Sequence, residues 1–346
     1  MKLDANTLAA RVLLIVACLI VFIYCFMKMT ESYDPLARYP YTTEENRAII
    51  LEYLDDDDID YIITNQIQPE EFLPYIQIEG FNIRNTRFYT IAKNTQDAEN
   101  EYIVNFVNKY RSYFTRDTFE DLLKNYSYQD LTAFYENDVL IHEDLTLVAN
   151  PSAPYVLLNP NTSVYKYSPA DLKGEGIQYR SSMEANLAAM QSAYSSMLSR
   201  ELVFARGYTS YESLIQMYAG YDEIYGDRVL KICFPAGSNE LQLGYTLVTD
   251  KADMWIEQCL NHGSDISEDY SPVIEGLDDD IKEEIEWLED NAYQYGFVIR
   301  YPKEKEDLTN HIYQPFELRY VGKDTAKQMY NASQCMEEAS FGKKLK

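Results

Sequence analysis

Residues 287–322 read WLEDNAYQYGFVIRYPKEKEDLTNHIYQPFELRYVG. Trp287, Leu288 and Tyr295 set an amphipathic helix, and Gly296 supplies its stop, because glycine enters the left-handed conformation without steric cost. Phe297–Tyr301 then reads as a strand. A charged loop follows, and a second strand is expected from Ile312 to Val321.

The wording of this stretch resembles the C-terminal signature of the zinc D-alanyl-D-alanine carboxypeptidases of the VanY type, W-L-x-x-N-A-x-x-Y-G-F-x-x-R-Y-P followed by T-G and E-P-W-H-x-R-Y-V-G. That family trims terminal D-alanine from peptidoglycan stem peptides. In its last motif the Glu is the general base for zinc-bound water, and the His three residues on is a zinc ligand. The same frame here is Gln314-Pro315-Phe316-Glu317-Leu318-Arg319-Tyr320-Val321-Gly322. The base position thus holds an amide, Gln314, and the ligand position holds Glu317.

Two further motifs extend the resemblance to roughly residues 141–335. Arg206-Gly207-Tyr208-Thr209-Ser210 resembles S-G-Y-R-S, whose Arg holds the substrate and stabilises developing charge. Thr209 stands in that place and offers only a hydroxyl. Arg206, three positions earlier, is expected to project elsewhere. Asn239 to Val248 resembles S-E-H-Q-x-G-x-A-x-D, which supplies the other two zinc ligands; those positions are Leu241 and Val248. Taking Asp250 as the acid instead moves the His position to Leu243. Catalytic zinc needs three protein ligands and an open water position. Leu241 and Val248 have no lone pairs, so no cofactor is expected and the ancestral zinc is read as lost.

The resemblance implies an α+β fold with a small antiparallel sheet. Gly244, Pro315, Arg319, Tyr320 and Gly322 remain in frame. Change confined to chemistry points to a pseudoenzyme whose fold is still used. The expected remnant is a shallow groove lined by Tyr208, Thr209, Gln242, Gln314 and Glu317. Its floor is expected to be closed by Leu241 and Val248, with Glu317 reaching water or pairing with Arg319 or Arg206.

The formal charge of −26 excludes nucleic acid as a partner, since phosphates would be repelled. Residues 31–140 hold 22 acids against 9 bases, and residues 141–346 hold 33 against 18, so the acidity is spread rather than gathered in a tail. Val12–Met27 is an unbroken run of 16 apolar residues. Leu8–Ala10 and Met29 extend it to a membrane span over residues 8–29 if Arg11 and Lys28 snorkel. It reads as an uncleaved signal anchor, placing the remainder outside a cell membrane. Ile15-Val16-Ala17-Cys18 matches a lipoprotein box, but nine apolar residues follow the Cys. The five cysteines leave Cys233, Cys259 and Cys335 outside that run, read as free buried thiols.

Three segments are expected: residues 1–30 as stub and anchor, 31–140 as a helical N-terminal domain, and 141–346 as the carboxypeptidase-like core. Helix starts are read at Thr43-Glu44-Glu45, with Ala48, Ile49 and Tyr53 inward, and at Pro69-Glu70-Glu71. Asp97–Tyr110 puts Tyr102, Phe106 and Tyr110 on one stripe. Asp56, Asp58 and Asp60 alternate like a calcium loop, yet Tyr61 and Ile67 occupy the Gly and Glu positions, so they are read as acids opening a helix. Glu143–Ala149 reads as a strand and Asn150–Pro160 as a loop over the core. Met183, Leu187, Met190, Tyr194 and Met197 read as a core stripe. Glu201–Ala205 reads as a strand, followed by a helix capped by Ser210 and bearing Leu214, Met217, Tyr218 and Tyr221.

Three readings stay open. The first is a membrane-anchored, zinc-free homologue binding stem peptide or an extracytoplasmic protein. The second is a hydrolase with a relocated site drawing on Glu317, Asp250, His262 or His311. The third is an assembly role for the N-terminal helices.

Overall fold

The computed structural model describes residues 5–29, 34–136, 145–261 and 269–339. By internal contact the chain falls into two compact units, residues 1–93 with 98–109, and residues 94–97 with 110–346. His262 and the start of the strand expected at Glu143 lie outside the described residues.

In the first unit, α1 (Ala5–Met29) carries the apolar run. Its 25 residues give about 37 Å of helix, enough for a hydrocarbon layer of about 30 Å. Helices α2 (Glu44–Tyr53), α3 (Asp56–Asn65), α4 (Pro69–Phe72), α5 (Thr86–Thr95) and α6 (Asn100–Tyr110) follow. Asp55 caps α3 by accepting the Asp58 N–H, and Asp56–Asp58 form its first turn, where carboxylates meet the positive helix end. Two expected faces are corrected. In α2 the buried positions are Asn46 and Ile50, while Tyr53 is exposed; Asn46 turns inward because its side chain completes a capping box with Thr43. In α6 the core takes Ile103, Val104, Phe106, Val107 and Tyr110 and leaves Tyr102 exposed.

The second unit contains α7 (Arg116–Asn125) and α8 (Tyr128–Glu136), then β1 (Thr146–Leu147), β2 (Thr162–Ser163), β3 (Leu172–Lys173) and β4 (Tyr179–Arg180). After α9 (Glu184–Leu198) comes β5 (Phe204–Arg206), α10 (Tyr211–Tyr225), a 3-10 turn at Glu240–Leu243 and β6 (Thr246–Thr249). The remaining elements are α11 (Ala252–Asn261), α12 (Ser271–Glu275), α13 (Asp279–Asn291), β7 (Phe297–Tyr301), α14 (Glu306–Thr309), β8 (Gln314–Tyr320) and α15 (Lys323–Ala332). The main sheet is antiparallel with order β5-β6-β8-β7. The fold is the α+β arrangement with a small antiparallel sheet.

Gly296 ends the helical segment with φ 89°, and a Cβ there would lie 3.0 Å from the Gly322 backbone, so the stop is also a close approach. Ser210 caps α10 by accepting the Ser213 N–H. In α9, Leu187, Met190 and Tyr194 are buried, but Met197 is exposed and instead accepts a hydrogen bond from Trp287 Nε1. Cys233, Cys259 and Cys335 are free and buried.

A buried ion network fixes the sheet to the loop at 150–160. Glu240 accepts from Arg300 Nε at 3.0 Å and from Arg319 Nη1 at 2.5 Å, all three side chains being fully buried. Arg319 Nη2 also donates to the Pro154 and Val156 carbonyls, and Arg300 Nη2 to the Leu158 carbonyl. Glu337 closes the network on Arg300 at 2.9 Å. Charges taken this far from water persist only when paired and hydrogen-bonded on several sides.

Candidate functional site

Sheet register and the 3-10 turn bring the substituted positions together. Val248 on β6 pairs directly with Glu317 on β8, and on its other side with Arg206 on β5. Cross-strand neighbours share a face, so Arg206, Val248 and Glu317 form one row. Leu241 comes from the 3-10 turn and Gln314 from the start of β8. All five line one cavity of about 30 Å³, room for a water or two. Met217, Tyr221, Cys233 and His311 complete much of its wall.

The chemistry of this cavity is mostly silent. Leu241 and Val248 are 4 % and 3 % exposed and sit in the main hydrophobic cluster. Burial pushes the Cys233 thiol up to about 12, so it stays protonated. His311 is buried, its ring stacked on Tyr301 at 3.8 Å and edge-on to Phe234. Burial drives its pKa down to about 3, leaving a neutral imidazole.

Two groups are exceptions. Gln314 is 1 % exposed, and its Oε1 has no hydrogen-bond partner among the described residues. Glu317 is pushed up to about 7, chiefly by burial, with Glu240 adding to the rise and Arg300 and Arg206 opposing it.

Neither arginine expected to pair with Glu317 does so. Arg319 is bound to Glu240. Arg206 grips Asp253 with both terminal nitrogens, at 2.8 and 2.9 Å, while Tyr221 donates to the same carboxylate at 2.7 Å. Arg206 also faces the cavity, contrary to the expected projection. The cause is an irregularity in β5 between Phe204 and Arg206, which advances the pairing and turns the side chain onto the Val248 row.

Three expected groove residues lie elsewhere. Tyr208 shares a hydrogen bond with Ser168 Oγ at 2.8 Å. Thr209 donates its hydroxyl to the Gly207 carbonyl and its N–H to the Leu241 carbonyl. Gln242 is fully buried, accepting the Gly237 N–H and donating to the Tyr165 and Tyr167 carbonyls, so it braces backbone rather than lining a groove. Asp250 pairs with Lys251 away from the cavity. Sequence reading missed Glu240 as the hub of the buried network, although it stood beside Leu241 in the motif.

The donor set does not fit a catalytic zinc. Leu241 and Val248 can coordinate nothing, and among the described residues no cluster of three or more His, Cys, Asp or Glu could hold a metal ion.

Comparison with known proteins gives a family match, D-alanyl-D-alanine carboxypeptidase (VanY), over residues 176–323. A putative carboxypeptidase, YodJ, of Bacillus subtilis (strain 168) is 29 % identical over 221 residues, covering 60 % of this chain and 74 % of that one. A D-alanyl-D-alanine carboxypeptidase of Enterococcus faecalis is 33 % identical over 103 residues, covering 28 % of this chain and 36 % of that one. Among solved structures, an LdcB LD-carboxypeptidase is 28 % identical, with TM-score 0.44, covering 57 % of this chain and 90 % of its own. A zinc complex of the D,D-pentapeptidase VanY is 20 % identical, with TM-score 0.41, covering 54 % and 97 %. Residues 176–323 thus match the VanY-type D-alanyl-D-alanine carboxypeptidase family as a domain within this chain.

Proposed function

We propose that this chain is a membrane-anchored, extracytoplasmic carboxypeptidase homologue that has lost its zinc and its hydrolytic activity and now works by binding. The observation that carries the reading is the pair of aliphatic side chains, Leu241 and Val248, walling a cavity of about 30 Å³ at the former metal position. Three losses coincide there. Metal ligands are missing, Gln314 cannot accept a proton as a base does, and the space does not admit a peptide terminus. The Arg206–Asp253 pair neutralises the cation nearest the cavity, which weakens any attraction for a terminal carboxylate. Recognition of stem peptide, or of an extracytoplasmic protein, then rests on the outer surface. The anchor in this reading is α1, apolar from Ala9 to Met29.

The test is D-alanine release from a stem pentapeptide by the full chain in detergent micelles, with zinc added, beside co-sedimentation with purified cell-wall sacculi. No release together with retention on sacculi is expected. Release of D-alanine overturns the reading. A second reading, a hydrolase with a relocated site, is favoured only by His311 and Glu317 sharing one cavity. It requires activity that Glu317→Gln abolishes.

A further inference from the structure

About 100° round α10 from the cavity at Leu241 and Val248, the same helix presents a second stripe. Tyr211, Ile215, Tyr218 and Asp222 follow at four-, three- and four-residue steps, which places them on one face. That face opens into a separate cavity of about 460 Å³, whose other walls include Phe134 and Tyr165. The size falls within the range of small-molecule sites.

The aromatic walls are arranged rather than merely present. Phe134 and Tyr165 meet at 5.8 Å and 68°, and Tyr165 and Tyr211 at 5.5 Å and 62°, so three rings form an edge-to-face corner. Tyr165 is held there in the left-handed conformation, φ 43°, an uncommon state for a bulky residue. Ser163 Oγ accepts its N–H at 3.0 Å, and the buried Gln242 amide donates to its carbonyl. Backbone strain maintained by two dedicated partners marks a position whose side chain is being aimed.

The charges around this cavity have a direction. Among the described residues, Asp222 is the one charged side chain lining it, and its carboxylate has no hydrogen bond or ion pair there. It lies one turn from Tyr218, whose hydroxyl is held above its ordinary pKa by burial first and by Asp222 next. At the other end, the Lys166 ammonium sits 5.6 Å from the Tyr165 ring centre and 6.0 Å from that of Tyr211. Tyr211 and Asp222 are eleven helical steps apart, about 16 Å, so Lys166 belongs to the far end. Ring faces attract cations, most strongly where water is partly excluded, and the chain as a whole carries a formal charge of −26.

We propose that this cavity binds a small organic cation, an alkylammonium whose charge lies between Tyr218 and Asp222 and whose carbon body rests on Ile215, Tyr165 and Phe134. The proposal is independent of the state of the former metal site. It is tested by equilibrium dialysis of the full chain in neutral-detergent micelles, with empty micelles as blank. The probes are choline and its neutral carbon isostere, 3,3-dimethylbutan-1-ol. Saturable choline binding is expected, about tenfold tighter than the alcohol, with the preference lost in Asp222→Asn and choline affinity reduced in Tyr218→Leu. Asp222 is exposed, so its replacement leaves folding intact. Equal binding of the two probes, unchanged choline affinity in Asp222→Asn, or no saturable choline binding by the folded wild type overturns the proposal.

Discussion

Val248 stands directly opposite Glu317 across the β6–β8 ladder. An aliphatic side chain and a carboxylate therefore occupy adjacent places in the row where two zinc ligands are implied by the family pattern. The register places the two implied ligand positions side by side. If that frame is retained, restoring the chemistry at Leu241→His, Val248→Asp, Glu317→His, Gln314→Glu and Thr209→Arg yields a folded variant that takes up one zinc and releases D-alanine from a stem pentapeptide. A variant that folds but takes up no zinc shows that the frame has drifted.

Leu241 behaves as core. It is 4 % exposed and packed in the main hydrophobic cluster. Leu241→Ala should cost about 2–4 kcal/mol, the range for a buried leucine that leaves a cavity behind. Trp255 and Trp287 are the chain's only tryptophans and both are buried in the second unit, so their fluorescence through a denaturant titration reports this loss. A cost below about 1 kcal/mol places the side chain in an open groove instead.

Glu240 supports two buried guanidinium groups at once. Glu240→Gln leaves Arg300 and Arg319 short of counter-charge, at an expected cost of about 3–5 kcal/mol. Glu337→Gln should cost less, because its side chain is 12 % exposed and water can substitute for it. The same fluorescence titration ranks the two, and equal costs contradict the network described above.

Glu317 makes stability depend on pH in a stated direction. Its pKa is raised to about 7 against an ordinary 4.5. The folded state therefore holds the proton more tightly, so its stabilising effect is full below pH 4.5 and is lost as pH rises through 7. Glu317→Gln stays neutral throughout. It should match the wild type near pH 4 and exceed it at pH 8 by on the order of 2–3 kcal/mol. Parallel stability curves across that window refute the burial assigned to this carboxylate.

The sequence made the sheet and its helical entry legible because Gly296, Phe297–Tyr301 and the final strand keep distinctive local chemistry. The resemblance to the family's motifs implies one site for Leu241, Val248, Gln314 and Glu317, and these four side chains line one cavity. What periodicity could not reveal was set by tertiary packing. Tyr102 and Met197 fit helical stripes yet face solvent, since an apolar spacing does not say which of two flanking positions the core accepts. Arg206 is expected to project elsewhere because it stands three positions before Thr209, whereas the irregular pairing of β5 sets it beside Val248. Gln242 is expected to line the groove, but three backbone groups claim its buried amide.

The central claim, that the family's metal chemistry is absent from this chain, is tested most directly by zinc content. The full chain is purified in detergent, incubated with zinc, passed over a mild chelating resin, and its metal measured against protein concentration. The account predicts far less than one zinc per chain, unchanged in Glu317→Gln. One zinc per chain that survives the resin and disappears in Glu317→Gln contradicts it.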